Sequence, residues 1–222
     1  MVLILQPMKN EYSELLKQMI NVYKGTTTVG LKSAEGVILA TDRRVTSGYF
    51  IAHRRGKKIL KVDDHIAVTI AGAVGDAQKV VDELRAEARL YKFNTGRPIR
   101  IKTLASLASI LLFSARPFIF IVQMIVGGVD DIGPGLYTID WFGTVTEEKY
   151  IATGTGTPVA LGILESEYDP TISMDDAVKL AVKAIKAAMR VDPGSGEGID
   201  VTIVDRKGVR ELTDEVIASY AR

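Results

Sequence analysis

Hydrophobic positions along this chain follow two different spacings. Up to residue 24 the apolar side chains recur at helical intervals, with charged and polar residues between them. These apolar positions are Tyr12, Leu15, Leu16, Met19, Ile20 and Tyr23. They predict an amphipathic helix that ends at Gly25. From Thr26 onward the chain changes to short apolar and β-branched runs separated by turn residues, a pattern typical of strands.

Strand patterns then alternate with pairs of helical patterns. Strands are predicted at residues 27–31, 37–41, 57–62, 66–71, 118–126, 135–140, 149–152, 199–205 and 209–212. Helices are predicted at residues 75–93, 102–115, 159–167 and 174–189, with a short helix after Asp214. Ser173 is a good N-cap for the fourth helix. The first four strands are expected to be antiparallel neighbours, and the whole order predicts one α+β domain of two packed antiparallel sheets covered by helices on both outer faces.

The balance of charges argues against two classes of partner. Lys and Arg total 28 against 27 Asp and Glu, so the net charge is +1. No overall field would attract nucleic acid or an anionic membrane. No segment approaches the roughly 20 apolar residues that span a bilayer, and the five apolar residues at the start are too few for a signal sequence. We therefore expect a soluble, cytoplasmic protein that binds neither nucleic acid nor membranes.

Missing residue types narrow the chemistry further. The chain has no cysteine, which excludes disulfides, thiolate metal sites and cysteine nucleophiles. Its only histidines are His53 and His65, too few for a three-histidine metal centre, and no G-x-S-x-G elbow accompanies them. We expect no cofactor. If the chain is a hydrolase, its nucleophile needs an unusual activating base.

Five short stretches, taken together and in order, resemble the β subunits of archaeal proteasomes. They are GTTTVG at residues 25–30, ATDRRVT at 40–46, GKK at 56–58, TIAGAVGDA at 69–77, and DPGS at 192–195 followed by GIDV at 198–201. The resemblance extends from Gly25 to the C-terminus. It implies the αββα sandwich of the N-terminal nucleophile hydrolases, in agreement with the order of elements above.

The resemblance implies that Thr26 is the nucleophile of a threonine endopeptidase. A hydroxyl needs a nearby base, and a terminal α-amine, with a reference pKa of roughly 7.7–8.0, suits neutral pH. That amine exists only after the Gly25–Thr26 bond is cleaved, which the resemblance assigns to Thr26 itself. Residues 1–25 are then a propeptide, and residues 26–222 form the catalytic domain. In an arbitrary sequence Thr26 would be an ordinary first residue of a strand.

Further site residues follow from the same resemblance. Lys58 corresponds to the catalytic lysine, and Asp42 is expected to pair with it. Asp192 and Ser195 correspond to the pair that supports the terminal amine, although Asp-Pro-Gly-Ser is also plain turn chemistry. Whether Lys58 or the amine takes the proton from the nucleophile stays open at this point.

Substrate-binding positions are also implied. Gly72 corresponds to the residue whose backbone N–H stabilises the oxyanion. Thr46 and Gly72 are expected to hydrogen-bond an extended substrate as an added strand. Val45, Ile70 and Val74 would line the first specificity pocket and favour cleavage after apolar residues, although a role as ordinary core is nearly as compatible with their side chains.

Thr155 departs from the family pattern, which has serine at this position. The hydroxyl is kept, but the additional methyl restricts χ1 and takes space near Thr26. A second hypothesis is therefore a structural β-type subunit that is processed slowly or not at all. A third is an N-terminal nucleophile amidase acting on a small molecule, against which Lys58, Asp42 and the stretch at residues 69–77 argue.

The resemblance also implies an assembly. Such β subunits form seven-membered rings with other β subunits, two rings stack, and rings of α subunits cap them. A regulatory ATPase would feed unfolded polypeptides to the enclosed sites. Residues 1–25 would block the nucleophile until assembly.

Overall fold

The computed structural model describes residues 25–117 and 119–220. This part contains twelve strands and five helices. The strands are β1 (Thr27–Lys32), β2 (Gly36–Asp42), β3 (Val45–Ser47), β4 (Phe50–His53), β5 (Ile59–Asp63), β6 (Ile66–Gly72), β7 (Val122–Val129), β8 (Pro134–Ile139), β9 (Val145–Glu147), β10 (Tyr150–Gly154), β11 (Ile199–Asp205) and β12 (Gly208–Glu211). The helices are α1 (Val74–Thr95), α2 (Ile101–Ser114), α3 (Thr157–Glu167), α4 (Met174–Val191) and α5 (Asp214–Tyr220).

Ten of the described strands form two five-stranded sheets. The first sheet has the order β10-β1-β2-β11-β12, and the second has the order β5-β6-β7-β8-β9. Every neighbouring pair within both sheets is antiparallel. The remaining two strands, β3 and β4, form a separate hairpin between β2 and β5.

Three buried clusters show how the layers are stacked. The cluster between the two sheets consists of Val37, Leu39, Ile59, Ala67, Ile125, Leu136 and Val204. A second cluster joins the other face of the second sheet to α1 and α2. A third joins the other face of the first sheet to α3, α4 and α5. The chain therefore forms helices, sheet, sheet and helices in turn, and the prediction of an αββα sandwich is confirmed.

Strand β2 illustrates why this sandwich needs continuous apolar runs rather than alternating ones. All seven residues of β2 are buried. Ile38 and Ala40 pack toward the helices on the first sheet, whereas Val37 and Leu39 pack into the space between the sheets. Because successive side chains point to opposite faces of a strand, a strand covered on both faces has apolar residues at successive positions, here from Val37 to Ala40.

Helix α4 begins as the sequence predicts. Ser173 Oγ accepts a hydrogen bond from the backbone N–H of Asp176 at 3.1 Å. Asp175 and Asp176 lie in the first turn, where the helix dipole favours carboxylates. One face of the helix is buried against the first sheet. At the other end Asp192 is the C-cap, so the length of α4 decides where this carboxylate lies.

Some predictions of individual elements need correction. The strand predicted at residues 118–126 begins at Val122 and extends to Val129. The first four predicted strands do not form one run, because β2 belongs to the first sheet and β5 to the second. Strands β3, β4 and β9 were not predicted, since runs of three or four residues are too short to show alternation. The helix predicted before Gly25 lies outside the described residues.

The described helices were also compared with the length of a membrane span. Within residues 25–117 and 119–220, none of them combines the length and the apolar composition needed to cross a bilayer.

Leu39 should contribute strongly to stability because its side chain is 0% exposed between the sheets. We expect Leu39→Ala to lower the free energy of unfolding by about 2–5 kcal/mol, since the lost contacts leave a cavity. Urea denaturation of the unassembled full chain measures this free energy of unfolding. Leu90→Ala is the matched control, because Leu90 is 51% exposed on α1, and it should change stability by about 0.5 kcal/mol or less. Equal losses in the two variants would contradict this account of the core.

Candidate active site

The ends of four strands meet at one end of the two-sheet sandwich. Thr26 immediately precedes β1, and Asp42 is the last residue of β2, both in the first sheet. Lys58 immediately precedes β5, and Gly72 is the last residue of β6, both in the second sheet. The backbone of Lys58 is fixed by a 3.0 Å hydrogen bond from the N–H of Ile70 to its carbonyl oxygen. The candidate site is thus built where the two sheets face each other.

Thr26, Asp42 and Lys58 form a buried triangle of polar groups. Lys58 Nζ donates hydrogen bonds to Thr26 Oγ1 and to Asp42 Oδ1, the latter at 2.7 Å. Thr26 Oγ1 in turn donates to Asp42 Oδ1 at 2.9 Å. Thr26 is 4% exposed, Lys58 6% and Asp42 0%. The hydroxyl of Thr26 is therefore held between a cation and an anion in a place largely shielded from water.

Backbone N–H groups from three separate segments hold the Asp42 carboxylate in place. Thr27 N–H donates to Oδ1 at 2.9 Å. The N–H groups of Arg44 and Gly196 donate to Oδ2 at 2.9 and 3.0 Å. These donors compensate for the loss of water around a fully buried carboxylate. They also fix its direction, so that Oδ1 faces Lys58 and Thr26.

Burial lowers the pKa of the Lys58 amine below its ordinary value of 10.5. The largest cause is the loss of solvent around the ammonium group, which disfavours its charged form. The Asp42 carboxylate acts in the opposite direction, through its charge and its hydrogen bond. Lys58 is consequently a cation that gives up its proton more readily than a lysine in water.

A second polar group lies on the other side of Thr26. Asp192 Oδ2 accepts hydrogen bonds from Ser195 Oγ at 2.6 Å and from Thr155 Oγ1 at 2.7 Å. The backbone N–H of Thr26 donates to Thr155 Oγ1 at 3.1 Å. Ser195 Oγ also shares a 2.6 Å hydrogen bond with Thr27 Oγ1. The nitrogen of Thr26 is thereby connected through one hydroxyl to a buried carboxylate.

The structure shows how the threonine at position 155 is accommodated. Its hydroxyl makes both contacts just described, while the residue as a whole is exposed. We expected its methyl group to take space near Thr26. Part of the Thr155 side chain is therefore open to solvent. Its hydroxyl makes the hydrogen bonds to Thr26 and Asp192 although the methyl group is present.

The Gly25–Thr26 peptide is closely packed. A Cβ at Gly25 would lie 2.0 Å from Gly194 Cα, and one at Gly194 would lie 2.2 Å from Gly25 Cα. The two backbones can approach each other this closely only because neither residue has a side chain. The N–H of Gly25 donates to Thr46 Oγ1 at 2.7 Å.

A cleft of about 770 Å³ opens beside Thr26. Its lining includes every residue predicted to bind substrate or oxyanion: Val45, Thr46, Ile70, Gly72 and Val74. Gly72 adopts φ +114°, and a Cβ there would lie 2.1 Å from the Ile121 carbonyl oxygen. We expect this glycine to allow close approach of a substrate; in the structure its missing side chain also makes room for the backbone of Ile121, just before β7.

Several residues of the site were not predicted. Ala52, Leu60 and Ala77 add apolar side chains to the cleft. Its rim is basic, with the exposed side chains of His53, Arg54, Arg55 and Lys57. Thr27 joins the hydrogen bonds around Asp42 and Ser195. Thr27, Lys57 and Ala77 lie within the stretches that carry the resemblance. Nothing local indicates the roles of these residues, because ordinary apolar, basic and threonine residues acquire such contacts only through the tertiary fold.

Among the residues that the structure describes, no three or more His, Cys, Asp or Glu side chains are grouped so that they could hold a metal ion.

The fold and this arrangement together define a class of protein. Two antiparallel sheets between helical layers, with Thr26 before the first strand, are the architecture of the N-terminal nucleophile hydrolases. A sequence profile described as "Proteasome subunit" matches residues 22–204, and the chain belongs to this family. The resemblance identified in the five short stretches is confirmed.

Individual relatives are similar over most of the chain. Proteasome subunit beta 1 of Pyrobaculum neutrophilum is 56% identical over 189 residues, which cover 84% of this chain and 94% of the relative. Proteasome subunit beta 1 of Caldivirga maquilingensis is 54% identical over 191 residues, or 85% and 93% of the two chains. Proteasome subunit beta of Methanocaldococcus vulcanius is 49% identical over 200 residues, or 89% and 90%.

These comparisons establish a β-type subunit of a proteasome core. Family membership implies a protease and assembly with other proteasome subunits. It decides against the third hypothesis, a small-molecule amidase. Whether this particular subunit is active is a separate question, to which the geometry around Thr26 is relevant.

Replacing Asp42 should change the titration of Lys58 in a defined direction. Asp42→Asn removes the carboxylate that favours the ammonium form, so the pKa of Lys58 is expected to fall further below its ordinary value. Titration of the lysine ¹³Cε NMR signals measures this, with Lys58 assigned by comparison with Lys58→Arg. Asp131→Asn is the control, because it removes a carboxylate bound to Arg100 and absent from the cleft. A Lys58 pKa that rises in Asp42→Asn would contradict the proposed balance of burial and charge.

Proposed function

We propose that this chain is an active threonine-type endopeptidase subunit of a proteasome core, with Thr26 as its nucleophile. Residues 1–25 are a propeptide that Thr26 removes by cleaving the Gly25–Thr26 bond. Residues 26–222 are the catalytic domain. The observation that carries the proposal is the buried contact of Thr26 Oγ1 with both Lys58 Nζ and Asp42 Oδ1.

The first reaction is self-cleavage. Thr26 Oγ attacks the carbonyl carbon of Gly25, its proton is taken up by a nearby base, and the peptide C–N bond breaks. The nitrogen of Thr26 receives a proton and becomes a free α-amine, while Gly25 is held as an ester on Oγ. Water then hydrolyses the ester, which releases residues 1–25 with a terminal carboxylate. The close contact of Gly25 with Gly194 supports a bent approach that no side chain obstructs.

The second reaction repeats the same attack on a substrate peptide. Thr26 Oγ adds to the scissile carbonyl, the amine product leaves with a proton, and water hydrolyses the resulting ester. Two bases are available: the Lys58 amine, whose pKa is lowered by burial, and the new α-amine of Thr26. Thr155, Asp192 and Ser195 would hold that α-amine; the hydrogen bond of the Thr26 nitrogen to Thr155, and those of Thr155 and Ser195 to Asp192, support this.

The cleft supports a preference for apolar residues on the N-terminal side of the cleaved bond. Val45, Ile70 and Val74 line it together with Leu60 and other apolar side chains. The N–H of Gly72 would stabilise the oxyanion. Thr46 and Gly72 would hydrogen-bond the extended substrate as an added strand.

The particle would enclose these sites. We propose seven-membered rings of β subunits, stacked in pairs and capped by rings of α subunits, working in the cytoplasm. A regulatory ATPase would deliver unfolded polypeptides, since a folded protein would not enter the enclosed space. The family membership and the β-type relatives support this assembly.

Removing the nucleophilic hydroxyl should abolish both reactions. In Thr26→Ala we expect the full chain to persist in assembled particles and peptide hydrolysis to fall by about a thousandfold or more. Intact mass after mixing with α subunits and hydrolysis of a fluorogenic peptide ending in an apolar residue measure the two effects. Thr103→Ala, at an exposed threonine of α2, is the control and should behave as wild type. Full peptidase activity in Thr26→Ala would show that the nucleophile is another residue.

Two substitutions at Thr155 separate the active subunit from the structural one. Thr155→Val keeps the shape but removes the hydroxyl that contacts the Thr26 nitrogen and Asp192, so the hydrolysis rate should fall about tenfold or more. Thr155→Ser keeps the hydroxyl and should stay within about threefold of wild type, because the hydrogen bonds are already made in the presence of the methyl. The hypothesis of a structural β-type subunit, processed slowly or not at all, predicts the opposite. In that case the wild type is inactive and Thr155→Ser activates it.

A further inference from the structure

One residue beside the site has an unusual backbone conformation. Glu197 has φ +67°, and among the described residues it is the one non-glycine with positive φ. Such a conformation is unfavourable for a residue with a Cβ, and glycine adopts it more readily. A side chain kept at such a position points to a function for that side chain.

The Glu197 carboxylate lies between two arginines from different segments. Arg54 Nη1 donates to both of its oxygens, at 2.9 and 3.0 Å. Arg44 Nη2 donates to Oε1 at 3.3 Å. Glu197 is only 18% exposed, whereas Arg54 is 71% exposed. The carboxylate therefore connects a largely buried loop to the surface of the molecule.

Arg44 connects this carboxylate to the catalytic groups. Its Nη1 donates to the carbonyl oxygen of Pro193 at 2.7 Å. Its guanidinium covers Gly196 so closely that a Cβ there would lie 2.4 Å from Nη2. Its backbone N–H donates to Asp42 Oδ2. Arg44 thus touches the loop that follows α4 at two points while its own backbone holds Asp42.

Arg54 connects the same carboxylate to the cleft. It immediately follows β4 and belongs to the basic rim of the cleft beside Thr26. Because Arg54 is an exposed partner, its ion pair with Glu197 contributes little to stability. Stability alone is therefore a poor reason for placing Glu197 in an unfavourable backbone conformation.

We propose that Glu197 is a positioning residue for the reaction. Its carboxylate, held by Arg44 and Arg54, fixes the loop at residues 192–198 against the end of β2 and the wall of the cleft. That loop carries Asp192 and Ser195, which reach the Thr26 nitrogen through the Thr155 hydroxyl, and it presents the N–H of Gly196 to Asp42. The inference rests on the proposed function of Thr26, because it concerns the geometry around that residue.

Two substitutions of Glu197 test the carboxylate separately from the backbone. Glu197→Gln keeps the size but removes the charge, and Glu197→Gly removes the side chain while relieving the unfavourable φ. Both are expected to lower kcat for peptide hydrolysis about tenfold, with KM within about twofold of wild type. The assays use the full chain assembled with α subunits, and kcat is normalised to processed chain by intact mass. Asp131→Asn, which breaks a two-oxygen arginine pair away from the cleft, is the control.

A double-mutant cycle tests whether Glu197 acts through Arg54. We expect Arg54→Gln to lower kcat as well, and Arg54→Gln combined with Glu197→Gln to be no worse than Glu197→Gln alone. If the loss of kcat in the double variant equals the product of the two single losses, the two residues act independently. That result would overturn the proposed connection between the cleft wall and the loop.

Several other results would overturn the positioning role of Glu197. Wild-type kcat in both Glu197 variants, a loss in KM alone, or full activity in Glu197→Gly with a loss only in Glu197→Gln would overturn the positioning role. A loss explained entirely by fewer assembled particles would also overturn it. These results differ from a failure of the proposed function, which would appear as an inactive wild type or an active Thr26→Ala.

Discussion

The whole site depends on a buried ion pair between Lys58 and Asp42. Charges removed from water are costly unless they are paired and fully hydrogen-bonded. Here the compensation comes from the opposite charge, from the hydroxyl of Thr26, and from the backbone N–H groups of Thr27, Arg44 and Gly196. The pair can therefore form only when the surrounding backbone is already in place.

Two sets of contacts in the sandwich hold this backbone in place. Antiparallel pairing fixes β1 against β2 and β5 against β6. The apolar cluster between the sheets then fixes the two pairs against each other. A close-packed interior has few alternative arrangements, so the distances among Thr26, Asp42 and Lys58 are set by the core rather than by the site itself. Polar groups at the strand ends are positioned by apolar residues in the strand middles.

This dependence explains what the sequence could and could not predict. The apolar run of β2 and the amphipathic helix α4 were predictable, since burial imposes a pattern on each of these segments. The short hairpin β3–β4 was not, and neither was the change of sheet between β2 and β5. Thr26, Asp42 and Lys58 were identified through short stretches that resemble a family. Leu60 and Glu197 belong to no recognisable stretch, and Thr27 lies in one that did not indicate its role, because the contacts of all three come from chain segments brought together only by folding.

Under the proposed mechanism, the Gly25–Thr26 bond makes the chain its own first substrate. Gly25 already lies in the cleft, and its N–H is bound by Thr46, the residue proposed to bind substrate peptides. Self-cleavage and peptide cleavage would then use one nucleophile, one buried lysine and one binding residue. They differ in the nitrogen of Thr26, which is an amide before cleavage and an amine afterwards. Self-cleavage must proceed without the α-amine as base, so the Lys58–Asp42 pair has to be complete before the propeptide leaves.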